Sequence, residues 1–238
     1  MSNMKIISAV NQLESFFLPY TQHLDTIKKN FDIIRDADLH FKKSTKNYNS
    51  AEFYNLRLQL SFSGFLTISI LDLLFISKNI LNSKHSWEKI YCMRYGYLIV
   101  YESIKTYNKN NPLINKAINE KFLLLKNEYK EISTALRRFK RGYDYERSIA
   151  DIRNLTAGHI DDNFVTFYDT ILNIDQDTAI ECFATFINIL MTMQEFISKL
   201  SRLSRIETES ELDRLNTSID SMKKEIGEMI SKLSKDKS

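Results

Sequence analysis

The sequence predicts an all-α protein, a helical bundle extended by a C-terminal coiled-coil-like helix. Three observations carry this. Only five glycines and two prolines, Pro19 and Pro112, punctuate 238 residues, too little turn chemistry for an all-β or α/β chain. Apolar residues recur at three- and four-residue steps over long stretches, the period of a helix with one buried face. Near the C-terminus, Leu212, Leu215, Ile219, Met222, Ile226, Met229 and Leu233 alternate strictly between those two steps, the pattern of a coiled-coil seam. Hydrophobic residues make up 43% of the chain, enough to fill a core and to exclude wholesale disorder.

In chain order, residues 4–43 form a first helix, with Ile7, Val10, Leu13, Phe17, Leu24, Ile27, Phe31 and Ile34 on one face. Pro19 is expected to break or kink it. After a polar connection over 44–50, a second helix spans 51–81. Its stretch 58–77 holds one charge, Asp72, among scattered Ser, Thr and Gln. That reads as the central helix of a bundle, buried nearly all round, rather than a membrane span. Residues 82–86 make a turn with Ser86 as N-cap, and a third helix covers 87–107. The 108–111 stretch with Pro112 is expected to end it, placing Pro112 in the first turn of a fourth helix that runs to about 140 and stops at Gly142. A short helix then runs to about Gly158. Phe164, Phe167 and Ile171 lie at helical spacing in a mixed stretch, 161–177, and a long apolar helix covers 178–203. The heptad tail either pairs with another copy or docks on its own domain. The expected organisation is an N-terminal helical segment over 1–50, a bundle over 51–205 and the heptad helix over 206–238.

Net charge is only +3, so any case for nucleic acid rests on local clustering. The two cysteines, Cys92 and Cys182, lie far apart with no CxxC motif; they read as buried thiols in a reducing compartment. The first twelve residues lack a secretory signal pattern. The expectation is a cytoplasmic chain without membrane or cofactor. The four histidines show no metal-ligand spacing, and neither a glycine-rich phosphate loop nor a nucleophile elbow is evident.

The stretch that carries chemistry is Ile152-Arg153-Asn154-Leu155-Thr156-Ala157-Gly158-His159-Ile160. A forked guanidinium suits phosphate oxygens, and an imidazole moves a proton near neutral pH. Together they suffice for metal-free cleavage of an RNA phosphodiester. His159 would act as general acid or base, Arg153 would hold the developing charge and Asn154 would position the substrate. Upstream lie Arg137, Arg138, Lys140, Arg141 and Arg147, interleaved with Phe139, Tyr143 and Tyr145. Such a cluster can hold a phosphate backbone while its rings stack on bases. Arg35 and His40 share the spacing, but Asp36 and Asp38 beside them repel phosphate, and no glycine frees the histidine to turn back. The plainer alternative for Arg153 and His159 is a pair of side chains capping a helix end.

The string Asp151-Ile152-Arg153-Asn154-Leu155-Thr156-Ala157-Gly158-His159-Ile160 resembles the signature of the HEPN superfamily: an arginine, a polar residue after it, and a histidine four to six residues on. Specifically, it resembles HEPN-like abortive-infection (AbiU2-type) phage-defence proteins, in which a helix bearing an Arg and a Glu precedes the motif. Residues 87–102, with Arg94 and Glu102, match that helix. The resemblance covers residues 53–203. It implies a dimerising helical bundle that brings two Arg/His sets to a shared cleft. Active members are metal-independent endoribonucleases, in phage-defence or toxin–antitoxin settings with an antitoxin partner; other members are catalytically silent interaction modules. Arg94 and Glu102 fit two roles, a structural ion pair with another helix or, for Glu102, orientation of Arg153 or His159.

Overall fold

The computed structural model describes residues 3–44, 51–157 and 163–235, with side chains chiefly over 9–43, 54–155 and 163–207. Among the described residues 94% are helical and none lies in a strand, so the protein is an all-α bundle. Its elements are α1 (Asn3–Ser44), α2 (Ala51–Asn82), α3 (Ser86–Glu120), α4 (Lys126–Gly142), α5 (Ala150–Ile152), α6 (Phe164–Leu172) and α7 (Gln176–Lys235). Helix α5 is one turn flanked by two π-helical turns, Tyr145–Ile149 and Arg153–Ala157.

Helix α2 packs against α1, α3 and α7. Leu66, Ile70, Leu73 and Ile80 are fully buried, while Ser61, Ile68 and Phe75, seven residues apart, leave a narrow stripe exposed. Two of its buried hydroxyls are satisfied within the helix. Thr67 donates to the Ser63 carbonyl at 2.9 Å, Ser69 to the Phe65 carbonyl at 3.0 Å, and Ser103 of α3 to Ser69 Oγ at 3.1 Å. Polar residues in a buried helix are tolerated when bonded in this way. The stretches Tyr54–Asn82 and Gln176–Glu207 are long and apolar enough to cross a membrane, and here they pack against each other in the bundle.

Both prolines lie inside helices instead of ending them. A proline in a helix interior costs about 3 kcal/mol, but burying one large aliphatic side chain returns about 1.5–3 kcal/mol. Beyond Pro112, α3 continues its apolar face from Ile104 and Tyr107 to the buried Ile114 and Ile118. The Asn110 amide caps the Thr106 carbonyl at 2.8 Å, and Tyr129 of α4 donates to the Asn111 side chain. Helix α1 likewise runs through Pro19, with Phe16, Phe17 and Tyr20 packed on the core and Ile27 buried beyond. Ion pairs Lys78–Glu14 (2.6 Å) and Arg57–Asp38 (3.0 Å) tie α1 to α2.

Two further expectations are corrected. His85, not Ser86, occupies the cap position of α3. Helix α4 does end at Gly142, and the left-handed residue that follows is Asp144, at φ 46°. Aspartate tolerates that conformation better than most residues, and its carboxylate accepts from Ser148 Oγ at 3.3 Å. Finally, the long apolar helix and the heptad helix are one element: α7 runs unbroken for 60 residues, about 90 Å at 1.5 Å per residue. The seam side chains from Leu212 to Leu233 lie outside the described side chains. Cys182 is fully buried, which pushes its thiol up to about 12, whereas Cys92 is only half-buried.

Helix α7 packs the Phe183 ring directly against the backbone of α3 at Gly96. A Cβ there would lie 2.4 Å from the Phe183 ring, which is fully buried and meets Tyr97 edge-on at 5.1 Å. The ring has nowhere to go. Gly96→Ala is expected to cost about 1–3 kcal/mol through overpacking, read as a lower urea midpoint with an unchanged m-value.

A second stability prediction concerns pH. The Gln194 amide of α7 bridges His23 of α1 (2.7 Å) and Ser63 of α2 (2.5 Å), and burial pushes the His23 imidazole below its ordinary value. The unfolded chain therefore takes up this proton first as pH falls. The stabilisation is complete above about pH 6.5 and lost as pH drops below it. The urea midpoint should be lower at pH 5.5 than at pH 7.5, and His23→Gln should flatten that difference.

Candidate functional site

The candidate site forms where the 145–157 segment packs back onto α3. Arg153 opens the second π-helical turn; such turns insert an extra residue into a helix and recur at functional sites. Its Nη2 donates to Glu102 Oε1 at 2.9 Å and its Nη1 to Asn154 Oδ1 at 3.0 Å. The guanidinium carbon lies 5.2 Å from the centre of the Tyr101 ring, within cation–π range. Nε is buried without a hydrogen-bond acceptor among the described residues. Two of the five guanidinium N–H groups are thus engaged, and the side chain keeps 24% of its surface exposed. It is held in place without being used up.

The support reaches back into α4. Tyr101 stacks on Tyr145 at 5.4 Å with the planes 14° apart, and the Tyr145 hydroxyl donates to the Tyr101 carbonyl at 3.4 Å. Lys140 lies 4.7 Å over the Tyr145 ring and pairs with Glu146 at 2.8 Å. Burial raises the Tyr145 phenol well above its ordinary value, so it remains a neutral donor. A continuous line of contacts, Lys140–Tyr145–Tyr101–Arg153–Glu102, joins α4, the π-helical turns and α3. Lys105, one turn beyond Glu102, sits 3.7 Å from its carboxylate.

Glu102 is thus ion-paired to Arg153 between α3 and the 145–157 segment, a geometry common to both roles open to it. Arg94 does something else: its guanidinium lies 5.2 Å over the Phe167 ring of α6, and burial pushes it down from its usual value. It fastens α6 to α3. Arg35 is engaged by Asp32 (3.1 Å) and Asp36 (3.0 Å), while Asp38 is buried against Arg57 and Lys42. The competing Arg–His match is therefore a local charge cluster on α1. Gly158 and His159 lie outside the described residues.

Arg137, Arg138, Arg141 and Arg147 are exposed, and none has an ion-pair partner among the described residues. Lys140 is half-buried and committed to Glu146 and Tyr145. The interleaved aromatics do not form a base-stacking surface. Phe139 is buried against Phe186 at 4.9 Å, Tyr145 is buried under Tyr101, and Tyr143 bonds Thr185 of α7 at 3.2 Å. The amphipathic period of α4 turns its rings inward and its guanidinium groups outward. Exposed rings lie elsewhere, among them Phe164 and Tyr168, stacked at 5.5 Å on α6, Trp87, Tyr91 and Tyr95 on α3, and Tyr54 and Phe75 on α2.

Sequence reasoning missed Tyr101, Lys105 and Phe167 as parts of the site. A signal existed: Arg94, Tyr101 and Lys105 recur at seven- and four-residue steps beside Glu102, one side of a helix. No protein-family model, curated protein or solved structure matches the chain.

Proposed function

We propose that the protein is a HEPN-like, cytoplasmic RNA-binding protein that cleaves RNA without a metal ion, as a homodimer acting in a phage-defence or toxin–antitoxin setting with an antitoxin as partner. The observation that carries this reading is the seating of Arg153 between Glu102, Asn154 and Tyr101, in the turn that precedes His159 in sequence, together with four guanidinium groups over residues 137–147 that have no ion-pair partner among the described residues. A guanidinium positioned this way, with N–H donors to spare, suits a phosphate at which negative charge develops.

His159 takes the proton of a ribose 2′-hydroxyl, whose oxygen attacks the adjacent phosphorus. The leaving 5′-oxygen departs with a proton returned by an imidazolium. Arg153 bears the charge on the non-bridging oxygens, Asn154 orients the ribose or phosphate, and Glu102 is a positioning residue acting through Arg153. Arg137, Arg138, Arg141 and Arg147, with Lys140 contributing less because it is already paired, hold the flanking phosphates.

A catalytically silent interaction module is the second reading, favoured by one observation. Helix α6 exposes Phe164, Val165, Tyr168 and Leu172 along one side, and an exposed apolar strip of that kind suits a protein partner.

Incubation with single-stranded RNA in EDTA should give products ending in a 2′,3′-cyclic phosphate. His159→Ala should slow this by about a hundred- to ten-thousand-fold, and Arg153→Lys should cost a comparable factor through loss of the planar fork. Glu102→Gln should lower the rate while changing stability by about 1 kcal/mol or less, as expected for a partly exposed pair. His40→Ala should leave activity unchanged. RNA intact under every condition would leave the interaction module standing. For the dimer, light scattering should report about twice 28.0 kDa; a monomer at micromolar concentration would remove it.

A further inference from the structure

A cleft of about 210 Å³ lies between α2, the C-terminal third of α3 and α7, lined by residues other than those that hold Arg153. Phe62, Ile114, Ile197 and Leu200 form apolar walls. One polar side chain reaches the cleft from deep in the bundle. Gln59 is 9% exposed, and its Nε2 donates to Ser204 Oγ at 3.2 Å. Its Oε1 is buried and accepts no hydrogen bond among the described residues. An unsatisfied buried carbonyl is costly and rare in native proteins, so it marks a place where a donor belongs.

The rim decides the charge of that donor. Lys121, at the end of α3, pairs with Glu207 of α7 at 3.2 Å across the mouth, and Lys116 and Glu120 lie one turn apart beside them. Two cations and two anions balance, leaving no net field to attract an ion. The volume is below the roughly 300–1,000 Å³ of sites for drug-sized ligands, which limits the occupant to one or two fused rings or a short chain.

We infer that this cleft is a binding site for a small neutral amphiphile, an apolar body carrying one N–H or O–H group that donates to Gln59 Oε1. The site goes beyond the RNA reading and does not depend on it. It shares α3 with Glu102, so an occupant would brace the far end of the helix that supports Arg153.

The test uses the full chain, titrated with indole by calorimetry and by amide NMR. Benzothiophene, which has the same shape without the N–H donor, serves as comparison. Indole should bind saturably and shift the amides of α2, α3 and α7 around the cleft, with benzothiophene at least about tenfold weaker, the factor expected for one buried hydrogen bond. Gln59→Leu keeps the volume and removes the acceptor; it should weaken indole about tenfold and erase the preference. Absence of saturable indole binding would overturn the proposal, as would equal affinity for the two probes or undiminished indole binding to Gln59→Leu. If thermal melting shows that Gln59→Leu does not fold, the two-probe comparison on the unmodified chain decides alone.

Discussion

The contact between Gly96 and Phe183 sets the spacing of α3 and α7, and most of what is distinctive in the molecule follows from that spacing. A glycine with no side chain lets a fully buried ring sit directly on the backbone of α3. With α3 held there, Tyr97 closes on the same ring, and Val100 and Ile104 continue the buried face towards α2. The adjoining side of α3 is left to carry Arg94, Tyr101, Glu102 and Lys105. Interiors packed at crystal-like density transmit small shifts, so the position of Glu102 depends on how closely these helices meet.

Around that frame the charged groups divide into two populations. Those with assigned structural work are paired: Asp38 with Arg57 and Lys42, Lys78 with Glu14, Lys140 with Glu146. Arg137, Arg138, Arg141 and Arg147 have no ion-pair partner among the described residues. The balance of +3 over the whole chain conceals this local concentration. It arises because the buried face of α4, through Ile132, Leu136 and Phe139, turns its rings towards the core and leaves Arg137, Arg138 and Arg141 on the exposed side. Any grip on phosphate at this surface is electrostatic, while apolar contact belongs to α6 and the start of α3.

Arg153 shows how a side chain becomes available for chemistry without being loose. Its two engaged donors, the Tyr101 ring beneath it and the line of contacts back to Lys140 fix the plane of the guanidinium. Preorganised donors aimed at a charge that develops later need no rearrangement when it appears. Neutralisation by Glu102 lowers the net attraction for phosphate, so the arrangement favours orientation over raw affinity.

Much of the bundle was legible in the chain itself. Helical period, scarce glycine and polar connections located α2 almost to the residue, the C-terminal end of α4 and the start of α7 within two residues, and marked helical spacing in the stretch that holds α6, because each depends on a local repeat. The same local rules failed at Pro19 and Pro112. Each proline breaks one backbone hydrogen bond, a short-range cost, and the gain that outweighs it comes from burial against helices distant in sequence. The left-handed turn at Asp144, where the chain folds back onto α3, is likewise set by packing distant in sequence. At the site, the sequence could nominate Arg153, Asn154 and the basic cluster by residue type. It could not pair Glu102 with Arg153, because 51 residues separate them. That pairing, and the inward turn of Phe139 and Tyr145, belong to tertiary packing, where the position of a side chain is set by whichever neighbour excludes water from it.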